Sequence, residues 1–410
     1  MDSAATGHAH WSESATVAAF RNADASRAAI LATGCSEAGL SIMMRKGMPL
    51  AIRLEAVPLK PAILIKQEAI SAGGDAAYSG KVAALSCDRT DIVLLLSEVV
   101  LPRFIAKLER QPFGLRRLAA KLSGMAPALF QARSLKLRDR SLELGKRPYV
   151  MGILNVTPDS FSDGSLHYSF EEAVSHAIRM IDEGADIIDI GGESTRPGSG
   201  AVDATEELRR VLAPVRYLAE RTDAIISVDT MKPEVAEASL EAGAHMINDV
   251  SGLSMGTGVA RSCARHGAGL VLMHMRGTPA DMMRHTEYGE LISDISAELL
   301  QRVDTALEYG VDQSSIVLDP GFGFSKTAEQ NIELLIRLGE FVNLGYPVLA
   351  GLSRKSTIGL LTDEKVASRR VPGSIAALTA AIMAGADIVR VHDVYESVQA
   401  AKVAFALRQS

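Results

Sequence analysis

From residue 149 onward, short apolar runs alternate with longer segments in which apolar residues recur at helical spacing. The helical segments end at glycines, each followed within a few residues by an apolar run: Gly184, Gly243, Gly267, Gly310, Gly345 and Gly385. Because glycine readily adopts the left-handed conformation that ends helices, these positions predict helix-to-strand junctions. With two further runs, eight strands are predicted, near residues 150, 187, 226, 246, 270, 317, 348 and 388.

Eight strand–helix units over roughly 260 residues predict a TIM (β/α)8 barrel, which is an α/β fold. Runs such as IIDI (187–190) and LVLM (270–273) are almost continuously apolar, as expected for parallel strands that are covered on both faces. A doubly wound open sheet is the competing α/β arrangement, and periodicity alone does not exclude it.

The chain before the barrel has a different pattern. Residues 1–40 are rich in Ala, Ser and His without sustained periodicity, which indicates a loose N-terminal segment. Between 41 and 145, apolar runs such as DIVLLL (91–96) and amphipathic stretches interrupted by Pro and Gly predict a small α+β domain. We therefore expect a loose segment (1–40), a small α+β extension (41–145) and a barrel domain (146–410).

Composition narrows the class of protein. An apolar fraction of 47% with 22% charged residues is typical of a soluble globular chain, and a net charge of -6 argues against a general nucleic-acid surface. The three cysteines are far apart, which suggests neither disulfides nor a cysteine-based metal site. Without a signal peptide or a membrane-spanning run, we expect a cytoplasmic protein that binds neither nucleic acid nor membrane.

Polar side chains follow the predicted strands at their carboxyl ends, where barrel enzymes assemble their sites. Basic groups that could bind an anion are Arg196, Arg354, Lys355, Arg390 and His392. Glycine-rich turns beside them allow backbone N–H groups to approach a phosphate. Asp229, Asn248 and Asp319 could accept from or donate to the edges of a flat heterocycle. These residues indicate a small, polar, phosphorylated substrate with an aromatic ring.

The same strand ends resemble the signature segments of the dihydropteroate synthase family. In chain order they are NVTPDSFSDG (155–164), GGESTRPGS (191–199), SVDT (227–230), NDVSG (248–252), LMHMRG (272–277), DPGFGF (319–324), GLSRKS (351–356) and RVHDV (390–394). The region before the barrel resembles the extension of longer bacterial members. The resemblance implies condensation of 6-hydroxymethyl-7,8-dihydropterin diphosphate with p-aminobenzoate, giving 7,8-dihydropteroate and diphosphate, by a homodimer with Mg²⁺.

The resemblance also implies which residues bind the pterin. Hydrogen bonds to the pterin edges would come from Asp229, Asn248, Asp319 and Lys355. Met273 and Phe324 would pack against the ring, and Arg390 would lie over its face while reaching the diphosphate. The implied catalytic residues are Asp229, Lys355, Arg390 and Asn155.

The remaining implied contacts concern the diphosphate and the arylamine. Positions matching those that hold diphosphate or its Mg²⁺ are Asn155, Thr195, Arg196, Arg390 and His392, with Asn155 as the metal ligand. Phe161, Arg196 and Pro197 would build the p-aminobenzoate pocket, and Ser353 or Thr195 would meet its carboxylate. Sulfonamides, which imitate the arylamine, should compete there.

Several other polar residues have simpler explanations. We expect structural roles for Glu193, Asp189, Asp249 and His274, and no nucleophilic role for Cys263. Two functional alternatives remain open. One is a pterin-dependent methyltransferase acting with a corrinoid protein, a reaction that would not need the GLSRKS and ESTRPGS segments. The other is a non-catalytic pterin-binding protein, which would not need charged residues at every strand end.

Overall fold

The computed structural model describes residues 49–130, 134–156, 166–194 and 202–409, and the isolated positions 30, 31, 33, 36, 40 and 43. The chain divides into two compact units, one of Met1–Ala120 with Gln409–Ser410 and one of Lys121–Arg408. The domain boundary predicted at residue 145 stays a prediction, as does the loose segment 1–40, of which only a few positions are described.

The first unit contains a three-stranded antiparallel sheet in the order β1–β3–β2. Its strands are β1 (Pro49–Pro58), β2 (Asp75–Tyr78) and β3 (Arg89–Ser97). The helices that begin within it are α1 (Leu59–Ala72), α2 (Gly80–Ala83), α3 (Val100–Leu108) and α4 (Leu115–Phe130). Alternate β3 residues from Thr90 to Leu96 are buried, which fits a sheet covered by helices on one face. The small sheet region confirms the α+β prediction.

The second unit contains an eight-stranded parallel sheet in the order β11–β10–β9–β8–β7–β6–β13–β12. Its strands are β6 (Tyr149–Asn155), β7 (Ile187–Gly191), β8 (Ile225–Asp229), β9 (Met246–Asp249), β10 (Gly269–Met273), β11 (Ile316–Asp319), β12 (Leu349–Ala350) and β13 (Ile388–Val391). A parallel bridge between Leu318 and Val348 joins the two ends of this order. The closed order confirms the TIM barrel and excludes the open sheet.

Helices alternate with the barrel strands. They are α5 (Leu166–Asp182), α6 (Ala204–Arg221), α7 (Pro233–Glu241), α8 (Gly258–His266), α9 (Leu291–Glu308), α10 (Ala328–Ile336), α11 (Gly339–Val342), α12 (Ser356–Thr362), α13 (Val371–Ala384) and α14 (Val394–Gln409). All six glycines predicted at helix ends have positive φ, as the junction prediction requires. Among the described residues, no helix combines the length and the apolar character needed to cross a membrane.

A short hairpin closes the amino-terminal end of the barrel. It consists of β4 (Ser134–Leu137) and β5 (Arg140–Glu143). Leu135, Leu137 and Leu142 belong to the same buried cluster as the first interior residue of each barrel strand. A Cβ at Gly269 would lie 2.2 Å from Leu137 Cδ2 and 2.9 Å from Met246 Cβ, so a larger residue there would require Leu137 and β9 to shift. Because this end is filled with apolar side chains, a substrate site must lie at the opposite end.

The barrel interior becomes mainly polar toward the carboxyl ends of the strands. The apolar positions next to the hairpin are Met151, Ile187, Ile225, Met246, Val271, Val317, Leu349 and Ile388. Two residues later the chain has Ile153, Asp189, Ser227, Asn248, Met273, Asp319, Gly351 and Arg390. Since alternate strand residues share a face, these side chains also point inward. The intervening residues belong to the core beneath the helices, which confirms that both strand faces are covered.

Candidate active site

Arg390 joins three strands at the polar end of the barrel. Its Nε atom donates to Asp189 Oδ2 over 2.6 Å, and its Nη2 atom donates to Asp229 Oδ2 over 2.8 Å. Asn248 Nδ2 donates to the same Asp189 oxygen over 3.0 Å. Asp189 is completely buried, so its carboxylate fixes the positions of Arg390 and Asn248 relative to each other.

The charges at this cluster perturb one another. Burial raises the pKa of Asp229 to about 7; Arg390 opposes that rise, whereas the charge of Asp189 adds to it. Burial alone would lower the pKa of Arg390, but Asp189 and Asp229 raise it. Arg390 therefore stays cationic, while Asp229 can change its charge near neutral pH.

A second wall of the site is formed by the segments after β11 and β12. Asp319 Oδ1 accepts a hydrogen bond from Gly321 N over 2.7 Å, and burial raises the pKa of this carboxyl. Lys355 Nζ lies 4.3 Å from the centre of the Phe324 ring, and its charge favours ionised Asp319. Phe324 and Met273 belong to one buried apolar cluster. This wall combines a flat apolar surface with groups of both charges.

Ser353 and His392 form the side of the site between β12 and β13. Ser353 Oγ lies 3.0 Å from His392 Nδ1 and accepts from His392 N over 3.2 Å. The next residue, Arg354, has φ +58, an uncommon value for a residue other than glycine. Two hydrogen bonds from its guanidinium to Asp393 hold this turn. Because Arg354 is held in this way, the positions of its neighbours Ser353 and Lys355 are also fixed.

Two oxygen-bearing side chains, Asn155 and Asp229, face each other across Gly191. A Cβ at Gly191 would lie 3.8 Å from Asn155 Oδ1 and 3.9 Å from Asp229 Oδ2. Both oxygen atoms therefore lie near Gly191, at neighbouring register positions of β6, β7 and β8. The described residues contain no group of three His, Cys, Asp or Glu side chains arranged to hold a metal ion. An ion bound here would therefore take its other ligands from a substrate or from water. Mg²⁺ is commonly bound in this way.

Comparison with known proteins identifies the family. The family model described as "Pterin binding enzyme" matches residues 151–392. A dihydropteroate synthase from Synechocystis is 50% identical over 263 residues, which cover 64% of this chain and 91% of that protein. The chain belongs to the dihydropteroate synthase family. Members of this family are transferases that act in folate biosynthesis, and this chain is such a transferase.

Two further comparisons bear on the barrel and on the region before it. A Xanthomonas albilineans dihydropteroate synthase, solved with 4-aminobenzoic acid, has a TM-score of 0.64 and 45% identity and covers 68% of this chain and 99% of its own. A probable bifunctional folylpolyglutamate synthase/dihydropteroate synthase from Halobacterium salinarum is 40% identical over 370 residues, covering 90% of this chain and 44% of that protein. This alignment is longer than the barrel and therefore includes residues preceding it.

The structure brings together most residues predicted for a dihydropteroate synthase site. The predicted residues that it describes at the carboxyl end of the barrel are Asn155, Asp229, Asn248, Met273, Asp319, Phe324, Ser353, Lys355, Arg390 and His392. Phe161, Thr195, Arg196 and Pro197 lie outside the described residues. The functional roles of all these side chains stay predictions.

Sequence reasoning gave too small a role to Asp189. The sequence placed it at a strand end and favoured local pairing, but the structure gives it two site residues as partners. Counting by twos from the apolar interior position Ile187 would have placed Asp189 inside the barrel. Cys263 is buried in α8, and burial raises the pKa of its thiol, which fits a structural cysteine.

Proposed function

We propose that this member of the family condenses 6-hydroxymethyl-7,8-dihydropterin diphosphate with p-aminobenzoate at the strand-end site, using the residues described above. The observation that supports this proposal is the cluster of Asp189, Asp229 and Arg390, in which a partly exposed cation joins two buried carboxylates above an apolar floor. A site of this kind can bind a polar heterocycle and an anion together.

The pterin edges are bound by Asp229, Asn248, Asp319 and Lys355. Carboxylates accept from the amino group and ring N–H of a pterin, while the ammonium of Lys355 donates to its ring acceptors. Met273 and Phe324 pack against the flat ring, and Arg390 lies over its other face. The contact of Lys355 with the Phe324 ring supports this arrangement, because it places a donor beside an apolar wall.

The diphosphate is bound by Arg390 and His392, together with Thr195 and Arg196 from the segment outside the described residues. Asn155 is the proposed ligand of Mg²⁺, because its side-chain oxygen lies near Gly191 at the carboxyl end of the barrel and is a donor of the kind that a hard cation prefers. When bound, Mg²⁺ would neutralise charge that develops on the leaving diphosphate.

Catalysis at this site depends mainly on electrostatic stabilisation of the charges that develop during the reaction. The carbon–oxygen bond to diphosphate breaks, and its electron pair leaves with the diphosphate, so the pterin methylene gains cationic character. Asp229 stabilises that cation, and Arg390 stabilises the leaving anion. The arylamine nitrogen then forms the new carbon–nitrogen bond and loses one proton. No covalent bond to the enzyme is required.

The arylamine lies between the diphosphate site and the segments containing Phe161, Arg196 and Pro197. Its carboxylate is bound by Ser353 or Thr195, and the hydrogen bonding of Ser353 with His392 supports an anion contact there. A sulfonamide that imitates the arylamine should compete for this position.

The chain acts as a homodimer in the cytoplasm. Exposed apolar side chains on the neighbouring helices α10 and α12 support self-association: Ile336 is 76% exposed, Leu360 68% and Leu361 65%. Light scattering in solution should give twice the chain mass, and Leu361→Glu should reduce it to one chain mass.

The experiment follows diphosphate release from the purified full chain with pterin diphosphate, p-aminobenzoate and Mg²⁺. Release that requires the arylamine is expected. No release, together with methyl transfer from a methylated tetrahydropterin to a corrinoid protein, would replace this function with the methyltransferase. Pterin binding without either reaction would leave a binding protein.

A further inference from the structure

We infer that Lys326, a residue outside the proposed substrate contacts, is a positioning residue that holds the Asp319–Phe324 wall in its binding conformation. This inference rests on the proposed function, because the turn that Lys326 holds is the one proposed to bind the pterin.

Lys326 is buried, with 2% of its surface exposed, and its ammonium group has three hydrogen-bond acceptors within reach. Its Nζ atom lies 3.0 Å from His274 Nδ1, 3.1 Å from Gly321 O and 3.0 Å from Phe324 O. An ammonium has three N–H donors, so three acceptors satisfy it completely. A neutral amine has only two donors and would leave one of these acceptors without its hydrogen bond.

The two carbonyls belong to the turn that forms the pterin wall. Gly321 N is the donor to Asp319 Oδ1, and Phe324 carries the ring that contacts Lys355. Phe324 N also donates to Gly321 O, so Lys326 closes the turn from inside. The turn passes so close to β10 that a Cβ at Gly321 would lie 1.9 Å from His274 O. Small shifts of this turn would therefore displace both Asp319 and Phe324.

A chain of hydrogen bonds continues from Lys326 to the protein surface. Because His274 Nδ1 accepts from Lys326, its Nε2 atom carries the proton and donates to Glu298 Oε2 over 3.1 Å. Arg276 donates to Glu298 Oε1 from both Nε and Nη2, over 2.9 and 2.5 Å. Burial lowers the pKa of His274 to about 3, so it stays a neutral acceptor. The donors therefore converge on Glu298, and neutral His274 presents its Nδ1 acceptor to the Lys326 ammonium.

Lys326 also responds to pH. Burial lowers its pKa to about 7, although the charge of Asp319 opposes this change. Titratable and charged groups face Lys326 from three elements. They are His274 and Arg276 in the segment after β10, Asp319 at the end of β11, and Glu298 and Arg302 on α9. As pH rises through about 7, the ammonium is lost and the turn loses a hydrogen bond.

Steady-state kinetics of the unmodified chain and of Lys326→Met between pH 6 and 9 test whether the Lys326 ammonium supports pterin binding. At pH 6.5, Lys326→Met should raise the KM for pterin diphosphate about tenfold or more and leave the KM for p-aminobenzoate within about twofold. In the unmodified chain, the KM for pterin diphosphate should rise above about pH 7. Lys326→Met should lack that rise.

A matched pair of histidine variants covers the case in which Lys326→Met does not fold. His274→Leu removes one acceptor of Lys326. His245→Leu removes a buried histidine at the amino-terminal end of the barrel, whose Nδ1 accepts from Ile226 N over 3.0 Å. Only His274→Leu should raise the KM for pterin diphosphate. If the unmodified chain releases no diphosphate, the proposed function fails. If it does, and these variants match it in KM and pH profile, only the positioning role is overturned.

Discussion

Arg390 Nη2 donates to Asp229 Oδ2 over 2.8 Å, linking the carboxyl ends of β13 and β8 inside the barrel. The same guanidinium donates to Asp189, which also accepts from Asn248. One network thus holds both the cation proposed to stabilise the leaving group and the carboxylate proposed to stabilise the developing cation. Because the network is buried, its charges interact strongly and are screened little by solvent.

Asp189→Asn tests whether this network positions Arg390. The amide keeps the size of the side chain but removes the charge that Arg390 and Asn248 share, so both site residues should lose orientation. We expect kcat/KM to fall about 10- to 100-fold, as for a lost hydrogen bond to a charged group.

Ser227→Ala is the matched control for that substitution. Ser227 is the register partner of Asp189 on β8 and is equally buried, but its Oγ has no hydrogen-bond partner among the described residues. Its removal should leave kcat/KM unchanged. Equal losses in both variants would mean that the interior tolerates no change here and would contradict a specific role for Asp189.

Asp229→Asn should separate activity from stability. In the folded chain the pKa of Asp229 is raised to about 7, above its ordinary value of 3.8, so the stabilisation from its bound proton is lost as pH rises through about 7. The variant has no such loss. Its melting temperature relative to the unmodified chain should rise by about 2–4 °C between pH 5 and pH 8, while turnover is abolished.

Thermal unfolding of Asp229→Asn at both pH values makes this comparison, with the exposed Asp182→Asn as control. The control should show the same difference from the unmodified chain at pH 5 and pH 8. A difference between Asp229→Asn and the unmodified chain that stays the same at pH 5 and pH 8 would mean that Asp229 is already ionised at pH 5.

Asp319→Ala and Lys355→Ala test the pterin wall. Each removes a charged contact, so each should raise the KM for pterin diphosphate about 10- to 100-fold and affect p-aminobenzoate little. Because the two charges interact within one site, the double variant should lose less than the product of the single losses. Normal turnover in both single variants would place the pterin elsewhere.

Removal of divalent cations tests the proposed magnesium site. A chelator should stop diphosphate release, and added Mg²⁺ should restore it, because the leaving group then regains its counter-charge. Asn155→Ala should raise the Mg²⁺ concentration needed for half-maximal rate, whereas the exposed Asn343→Ala should not. Full activity in chelator, or an unchanged Mg²⁺ requirement in Asn155→Ala, would remove Asn155 from metal binding.

The sequence was sufficient for the fold and for placing most of the predicted site residues at one end of the barrel, for a physical reason. Helix-ending glycines and continuous apolar runs depend on local backbone geometry and on burial, which single segments reveal. Asp319 and Arg390 were singled out because they lie near the carboxyl ends of strands, and these ends meet at one end of a parallel barrel.

The partners of these groups could not be read from the sequence. Asp189 and Arg390 are 201 positions apart, and only barrel closure and strand register bring them together. The burial of Lys326, which sets its charge, likewise depends on His274 and on the turn around Gly321. Local sequence gives residue types, whereas charge states and hydrogen-bond partners depend on the packed environment.

The most direct test of the central claim is identification of the product made by the full chain from pterin diphosphate, p-aminobenzoate and Mg²⁺. Chromatography with mass detection should give 7,8-dihydropteroate and diphosphate in equal amounts, and Asp319→Ala should form both more slowly at low pterin diphosphate. Pterin diphosphate that stays intact, or diphosphate released without any pterin–arylamine product, would contradict the account.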